Sequence, residues 1–287
     1  MKINAYAKIN IGLDVLGKRP DGYHEVRMIM QTLELHDELT VERTADPQIS
    51  ISVDTDREDI PVNEDNLIYK AARLMMDEHG LSGGVKVSLV KRIPVAAGLA
   101  GGSSDAAAVL KAINIIDGLG LSVNELAETG VRIGADVPYC IMGGTVLAEG
   151  IGEILTPLPP CPEWRVLLAK PPVSVSTAHV YGNFHPENVT HPDIDLIIEG
   201  IRDGDFVKVT RNMDNVLKSV TASETPYIDR ICKIMEDKGG YPLMSGSGPT
   251  VFGLFESEED INAAYDMLRH KDFVSELFIT RIFDGRA

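Results

Sequence analysis

Cysteine, tryptophan and positive charge are all scarce in this chain of 287 residues. The three cysteines (Cys140, Cys161, Cys232) are odd in number and far apart. They offer no Cys-x-x-Cys pair, no disulfide framework and no zinc spacing. The seven histidines form no His-Glu-x-x-His pattern. Lysine and arginine number 27 against 43 aspartates and glutamates, a net charge of −16. That balance argues against general nucleic-acid binding, because neutralising phosphates needs a basic face. No apolar run approaches the roughly 18 residues of a bilayer-spanning helix. The start, Met1-Lys2-Ile3-Asn4, lacks the apolar centre of a signal peptide. The expectation is a soluble cytoplasmic protein, monomeric or homodimeric, that binds neither nucleic acid nor membrane. Any anionic ligand must then be held locally, by backbone N–H groups and a few placed cations.

What is present is an ordinary globular composition, 44% apolar and 24% charged, at a length that suits one large or two medium domains. Residues 3–13 alternate, with Ile3, Ala5, Ala7, Ile9, Ile11 and Leu13 on one face and Asn4, Tyr6, Lys8 and Asn10 on the other; the period predicts a half-buried strand. Further strands are expected after the Pro20-Asp21-Gly22 turn, over 38–43, 48–53 and 85–89, and later over 164–170, 251–255 and 277–283. Helices are expected over 66–79, from about Ser103 as N-cap, after Thr225-Pro226 and after Ser257, each with apolar residues at i, i+3, i+4 and i+7. Helices and hairpin-like strand pairs are mixed, so the fold class is α+β in two layers. Pro171-Pro172 marks a candidate boundary between halves, and Met28, Met30, Met75 and Met76 are expected in the core.

One segment stands out. Pro94-Val-Ala96-Ala97-Gly98-Leu99-Ala100-Gly101-Gly102-Ser103-Ser104 places a glycine-rich loop between a strand and a helix start. Unpaired N–H groups and the helix dipole make such a junction an anion site. Glycines let a phosphate approach the backbone, and two serines add hydroxyl donors. The segment is neither a Walker A loop nor Gly-x-Gly-x-x-Gly. A tight turn is the competing reading, but the glycines, serines and helix start together favour phosphate. Other signals are weaker taken alone. Asp136, in Gly134-Ala-Asp-Val-Pro138, reads locally as a cap or turn. Ser245-Gly-Ser-Gly-Pro-Thr250 is a turn or a second backbone wall for a ligand. Lys8 sits mid-strand, where an exposed face is the commoner explanation. Tyr23-His24 follows a turn.

In combination these pieces resemble the GHMP kinases. The glycine loop is similar to that superfamily's central phosphate motif, and residues 245–250 to its C-terminal glycine-rich motif. Ala7-Lys-Ile-Asn-Ile11, Arg19-Pro-Asp-Gly-Tyr-His24, Gly98–Ala106, Gly134–Pro138, Ala148-Glu-Gly-Ile-Gly-Glu153 and Ser176-Thr177 make the resemblance closest to members acting on a cytidine diphosphate-linked methylerythritol, in non-mevalonate isoprenoid synthesis. The resemblance implies a GHMP kinase two-domain fold, with a ribosomal-protein-S5-like N-terminal domain (1–158), a ferredoxin-like C-terminal domain (159–287) and a site in the cleft between them. It implies that ATP phosphorylates the substrate's 2-hydroxyl and arrives with Mg²⁺, whose protein ligands are left unassigned. The catalytic pair falls on Lys8 and Asp136. The ATP site falls on Pro94, Ala96, Ala97, Gly98, Leu99, Ala100, Gly101, Gly102, Ser103 and Ser104, with Asn66 and Lys91. The cytidine and methylerythritol site falls on Asn10, Tyr23, His24, Thr177 and Tyr181. Ala100 stands where a glycine is common, a small change expected to be tolerated if its φ is negative.

On that reading Asp136 takes the hydroxyl proton and Lys8 keeps it ionised, while the loop N–H groups offset charge on the transferring phosphoryl group. Two other readings stay open: another small-alcohol kinase of the superfamily, of mevalonate or homoserine type, and a non-catalytic ATP-binding sensor on the same scaffold.

Overall fold

A computed structural model describes residues 1–54 and 60–285. The elements, in chain order, are β1 (Lys2–Lys18), β2 (His24–Thr44), β3 (Ile49–Val53), α1 (Leu67–Glu78), β4 (Gly84–Val90), α2 (Gly101–Ile116), α3 (Val123–Val131), α4 (Val137–Met142), β5 (Thr145–Glu149), β6 (Ile154–Pro157), β7 (Arg165–Lys170), α5 (Thr177–Gly182), α6 (Ile194–Asp203), α7 (Phe206–Asn212), α8 (Lys218–Glu224), α9 (Tyr227–Glu236), β8 (Tyr241–Met244), β9 (Val251–Phe255), α10 (Glu258–Leu268) and β10 (Glu276–Arg281). The class is α+β, as the mixed periodicities predict. No helix among the described residues is long and apolar enough to cross a membrane.

The chain groups into two compact units. The first holds Met1–Ala7, Leu35–Val95 and Ala100–Met142; the second holds Lys8–Glu34, Ala96–Leu99 and everything from Gly143 on. The long strands β1 and β2 run through both.

In the first unit β3 lies parallel to β4 (Ile49 beside Val85), and β4 lies antiparallel to the second half of β2 (Thr44 beside Gly84). Val85, Val87 and Leu89 of β4 and Leu39 and Val41 of β2 meet Ile68, Ala71, Ala72 and Met75 of α1 and Val109, Ala112 and Ile113 of α2 in one core. The apolar spacing on α1 is thus the face it buries. Asn66 starts that helix as its N-cap, its side-chain oxygen accepting from Ile68 N at 2.8 Å.

In the second unit the first half of β2 pairs antiparallel with β5 (Met28 beside Ala148), and β5 with β6. A second, four-stranded sheet has the order β10-β7-β9-β8, with every pair antiparallel. Strand β9 is buried along its whole length, which explains why it reads as a continuous apolar run rather than an alternating one.

Four sequence expectations need correction. Strand β1 is not half-buried: every residue from Ala7 to Val15 is buried, so both faces are covered. β2 is one strand of 21 residues, not two shorter ones. Helices α5 to α8 had no expected counterpart, although α6 carries Ile194, Ile197, Ile198 and Ile201 at helical spacing and an Asp193 cap. Finally, α2 begins at Gly101, and Ser103 lies inside its first turn rather than capping it. The residue in the capping position is Ala100, at φ 57°.

Ile113 is fully buried in the core that α1 and α2 share. Ile113→Ala should cost about 2–5 kcal/mol of unfolding free energy, read as a lower urea midpoint at unchanged slope. A loss below about 1 kcal/mol would mean that α2 is not packed in this core.

Candidate active site

In the first unit the notable feature is the start of α2. Its first intrahelical bond runs from Ser104 N to Ala100 O at 2.8 Å. The amides of Gly101, Gly102 and Ser103 therefore have no partner within the helix, and they point out of its positive end. The turn that delivers them is tight. Ala96 (φ 50°) and Ala100 (φ 57°) both occupy the left-handed region, where an alanine is strained by about 1–2 kcal/mol. The condition for Ala100 to replace glycine freely, a negative φ, is thus not met: the loop imposes the conformation a glycine would take without cost, and the alanine bears the strain. Such strain persists only where surrounding contacts over-determine the backbone.

A buried ion cluster lies beneath this junction. Lys91 Nζ donates to Asp37 Oδ2 at 2.5 Å and to Asp105 Oδ2 at 2.6 Å. Asp37 Oδ1 accepts from the amides of Arg92 and Ile93 at 2.5 and 2.8 Å. The end of β4, the loop entrance and the second turn of α2 are thereby tied to one carboxylate–ammonium cluster. A Cβ on Gly101 would stand 3.0 Å from Lys91 Nζ, so the ammonium sits directly under the first helical residue. Burial opposes the charge on Lys91, but Asp105 and Asp37 outweigh it and raise its pKa. Burial pushes Asp105 up from 3.8 to about 7, against the pull of Lys91 and with a further push from Asp37. Asp105 Oδ1 is buried without a hydrogen-bond partner.

Asp136 is half-buried and immediately precedes α4, its carbonyl accepting from Cys140 N at 3.0 Å. Its neighbour Gly134 has its Cβ position 3.9 Å from Ser103 Oγ. The Gly134–Asp136 turn therefore lies beside the first turn of α2. Ser104 points elsewhere: its hydroxyl donates to Tyr6 O at 2.7 Å and is buried.

Lys8 lies in the second unit. It is 4% exposed and its neighbour on the strand face, Asn10, is 1% exposed, so the exposed-face explanation fails. Lys8 Nζ donates to Asn10 Oδ1 at 2.9 Å and to Gly98 O at 3.2 Å. Asn10 is oriented in turn by Nδ2 against Met28 Sδ at 3.2 Å. A buried ammonium is tolerated only when its donors are met, and here an amide and a loop carbonyl meet them. The Gly98 carbonyl also accepts from Ser245 Oγ at 2.9 Å. Gly98 has φ +73°, and a Cβ there would fall 2.2 Å from Ser245 O; only glycine lets these two loops close.

Elsewhere in this unit the ring of His24 lies 5.3 Å from that of Tyr181. Burial, and then the charge of Lys18, lower the His24 pKa, so the ring is neutral at pH 7. Thr177 Oγ1 is 2.9 Å from Ser247 Oγ. Tyr23 is 61% exposed.

Several expected residues are thus engaged structurally. Asn66 caps α1, Lys91 is locked between two acids, and Pro94, Ala97 and Leu99 are buried loop residues. The sequence reading missed Asp37, Asp105 and Ser247. A signal existed for Asp105, an acid inside the Ala106-Ala-Ala108 stretch that helical spacing puts toward the core; Asp37 has no local mark. Among the described residues no cluster of three or more His, Cys, Asp or Glu side chains could hold a metal.

Because the folded chain holds the Asp105 proton more tightly than the unfolded chain does, the stability tied to this group is present below pH 4 and is lost as pH rises through about 7. Asp105→Asn removes that dependence. The melting temperature of the variant should therefore gain on the native chain between pH 5 and pH 8; a constant difference would mean that Asp105 titrates as an ordinary carboxylate.

Known proteins can now be compared with this arrangement. The GHMP kinases N terminal domain matches residues 66–144, and the GHMP kinases C terminal domain matches residues 197–274. A 4-diphosphocytidyl-2-C-methyl-D-erythritol kinase of Lachnoclostridium phytofermentans is 47% identical over 288 residues, covering 100% of this chain and 98% of its own. One of Lachnospira eligens is 50% identical, covering 99% and 98%. A crystal structure of 4-(cytidine 5'-diphospho)-2C-methyl-D-erythritol kinase superposes with a TM-score of 0.83 at 32% identity, over 99% of this chain and 100% of that one. A homoserine kinase of Cytophaga hutchinsonii shares the fold at a TM-score of 0.78 and 20% identity, over 99% and 95%. With full-length identity at this level, and both halves of the superfamily pattern matched in order, the chain belongs to the 4-diphosphocytidyl-2-C-methyl-D-erythritol kinase family of the GHMP kinases.

Proposed function

We propose that this chain transfers the γ-phosphoryl group of ATP to the 2-hydroxyl of 4-diphosphocytidyl-2-C-methyl-D-erythritol. The observation that carries the reading is the buried Lys8 ammonium, fixed by Asn10 on the carbonyl of Gly98 within the glycine loop. Full-length similarity to kinases of that name supports the choice of substrate. A small-alcohol kinase of mevalonate or homoserine type remains the alternative, and the His24–Tyr181 ring pair argues against it, since neither of those alcohols carries a base to recognise. The sensor reading is disfavoured because lysine and acid are both retained.

Each residue then has a task. The amides of Gly101, Gly102 and Ser103 bind phosphate oxygens at the positive end of α2, and the backbone of Ala96–Ala100 lines the approach. Ser104, Asn66 and Lys91 hold the frame of that site through the contacts described above. Asp136 accepts the proton of the substrate hydroxyl as it attacks. Lys8 offsets negative charge developing at the reacting centre, a contribution enlarged by exclusion of water. Asn10 keeps the ammonium of Lys8 aimed. His24, neutral at pH 7, reads the cytosine edge, with Tyr181 against its ring and Tyr23 available to cover it; Thr177 contacts the methylerythritol portion. Mg²⁺ would be held mainly by the ATP phosphates and water, its usual habit where protein ligands are few, and would supply charge neutralisation on the transferring group. The domain boundary falls at about residue 158, with the glycine loop, Lys8, Asp136, Tyr23 and His24 before it and Thr177 and Tyr181 after it. The reaction belongs in the cytoplasm.

Asp136→Asn should lower kcat by about 10²–10⁴-fold with ATP still bound, measured by ADP release and calorimetry; unchanged turnover removes Asp136 from the reaction. His24→Ala should raise the KM for the cytidyl substrate about tenfold, the equivalent of one lost contact, at nearly constant kcat. A fall confined to kcat contradicts the base-reading role.

A further inference from the structure

Residues 245–250 form a loop without a helix or strand of its own, yet Ser245, Ser247 and Thr250 are buried. The backbone of Gly246 lies against the Lys8–Asn10 pair. A Cβ at that position would stand 3.4 Å from Lys8 Nζ and 3.5 Å from Asn10 Oδ1. Whatever fixes this loop also fixes the wall against which the ammonium rests.

Besides Ser245 Oγ on Gly98 O, one side chain ties this loop at two carbonyls. Asn215 is 1% exposed. Its Nδ2 donates to Met244 O at 2.7 Å and to Gly246 O at 2.8 Å, and its Oδ1 accepts from Leu217 N at 3.0 Å. The amide therefore uses both N–H bonds on carbonyls that flank Ser245, and its oxygen on the start of α8. Its main chain is anchored independently. Asn215 forms a parallel bridge with Leu13 of β1, supported by Leu13 N to Asp214 O at 2.9 Å and Val216 N to Leu13 O at 3.1 Å. β1 is the strand that carries Lys8 and Asn10. Asn215 is thus joined to that strand by its backbone and to the opposing loop by its side chain. Thr221 adds a second tie, its Oγ1 donating to Ser247 O at 3.1 Å.

We infer that Asn215, seconded by Thr221, is a positioning residue of the phosphoryl-transfer reaction: it holds the main chain of residues 244–247 at the distance from β1 that keeps Lys8 Nζ aimed. The inference rests on the role proposed above for Lys8. Asn215 itself does not touch the reacting groups. Its effect belongs in kcat, because a displaced ammonium weakens the transition state more than it weakens nucleotide binding. Aspartate is the informative replacement. It keeps the shape and the acceptor for Leu217 N, but it turns both donations into repulsion between oxygens.

The test compares the native chain with Asn215→Asp and Thr221→Val in steady-state ADP release, varying ATP and the cytidyl substrate separately. Asn215→Asp should lower kcat by roughly 10–100-fold, the scale of a misplacement of about 1 Å. The KM for ATP should stay within about twofold, below what one lost contact produces. Thr221→Val should show the same split at about 3–10-fold, as expected for one hydrogen bond. Native kcat in both variants, or a change confined to KM or to the yield of folded protein, overturns the inference. If Asn215→Asp does not fold, Thr221→Val decides by the same criteria. Lys8→Ala at native turnover would instead overturn the role of Lys8 itself, an outcome that the Asn215 and Thr221 variants cannot mimic.

Discussion

The carbonyl of Gly98 is the point on which the packing around Lys8 depends. It accepts from the ammonium of Lys8 and from the hydroxyl of Ser245, so one peptide group joins the N-terminal strand, the phosphate loop and the C-terminal glycine-rich loop. A buried lysine without partners would deprotonate or draw in water. Here two of its N–H bonds go to neutral acceptors, the Asn10 amide oxygen and the Gly98 carbonyl. That requirement explains why the loop is short of side chains: at Gly98 any Cβ would collide with the backbone of Ser245.

The first unit solves a different problem. A helix N-terminus leaves its first amides without intrahelical partners, so the junction needs support from elsewhere in the fold. The cluster of Lys91, Asp37 and Asp105 secures it from below, linking β4, the loop entrance and α2 through charge-assisted hydrogen bonds. Two acids share one lysine, and burial keeps Asp105 reluctant to ionise. The cluster can therefore approach neutrality as a whole. That limits the desolvation cost and avoids placing a full negative charge beneath an anion site. Ala96 and Ala100, held at positive φ, show that the surrounding contacts are strong enough to impose a conformation those residues disfavour.

The charge balance is reconciled at this scale. A chain with a net charge of −16 repels polyphosphates at long range, but that field is screened within about a Debye length of 8–10 Å in physiological salt. Inside a lined site the nearest dipoles and cations decide, and backbone amides carry no count in the composition.

The sequence by itself determined the α+β class, the α1 and α2 faces, the glycine-rich strand-to-helix junction after Pro94 and, through motif order, the superfamily, because each is written in local period, turn chemistry or spacing. Helix α6 was equally legible from its isoleucines. What only the tertiary structure decided has a common physical cause: it depends on partners distant in the chain. Burial of Lys8 needs both faces of β1 covered. Pairing of Lys91 needs an acid from β2 and another from α2. The strained φ of Ala100 is set by what the loop must join, and the weight carried by Asn215 comes from a bridge to Leu13 together with two carbonyls around Ser245. For Lys8 the local preference pointed to something blander, an exposed strand face, and long-range contacts overrode it.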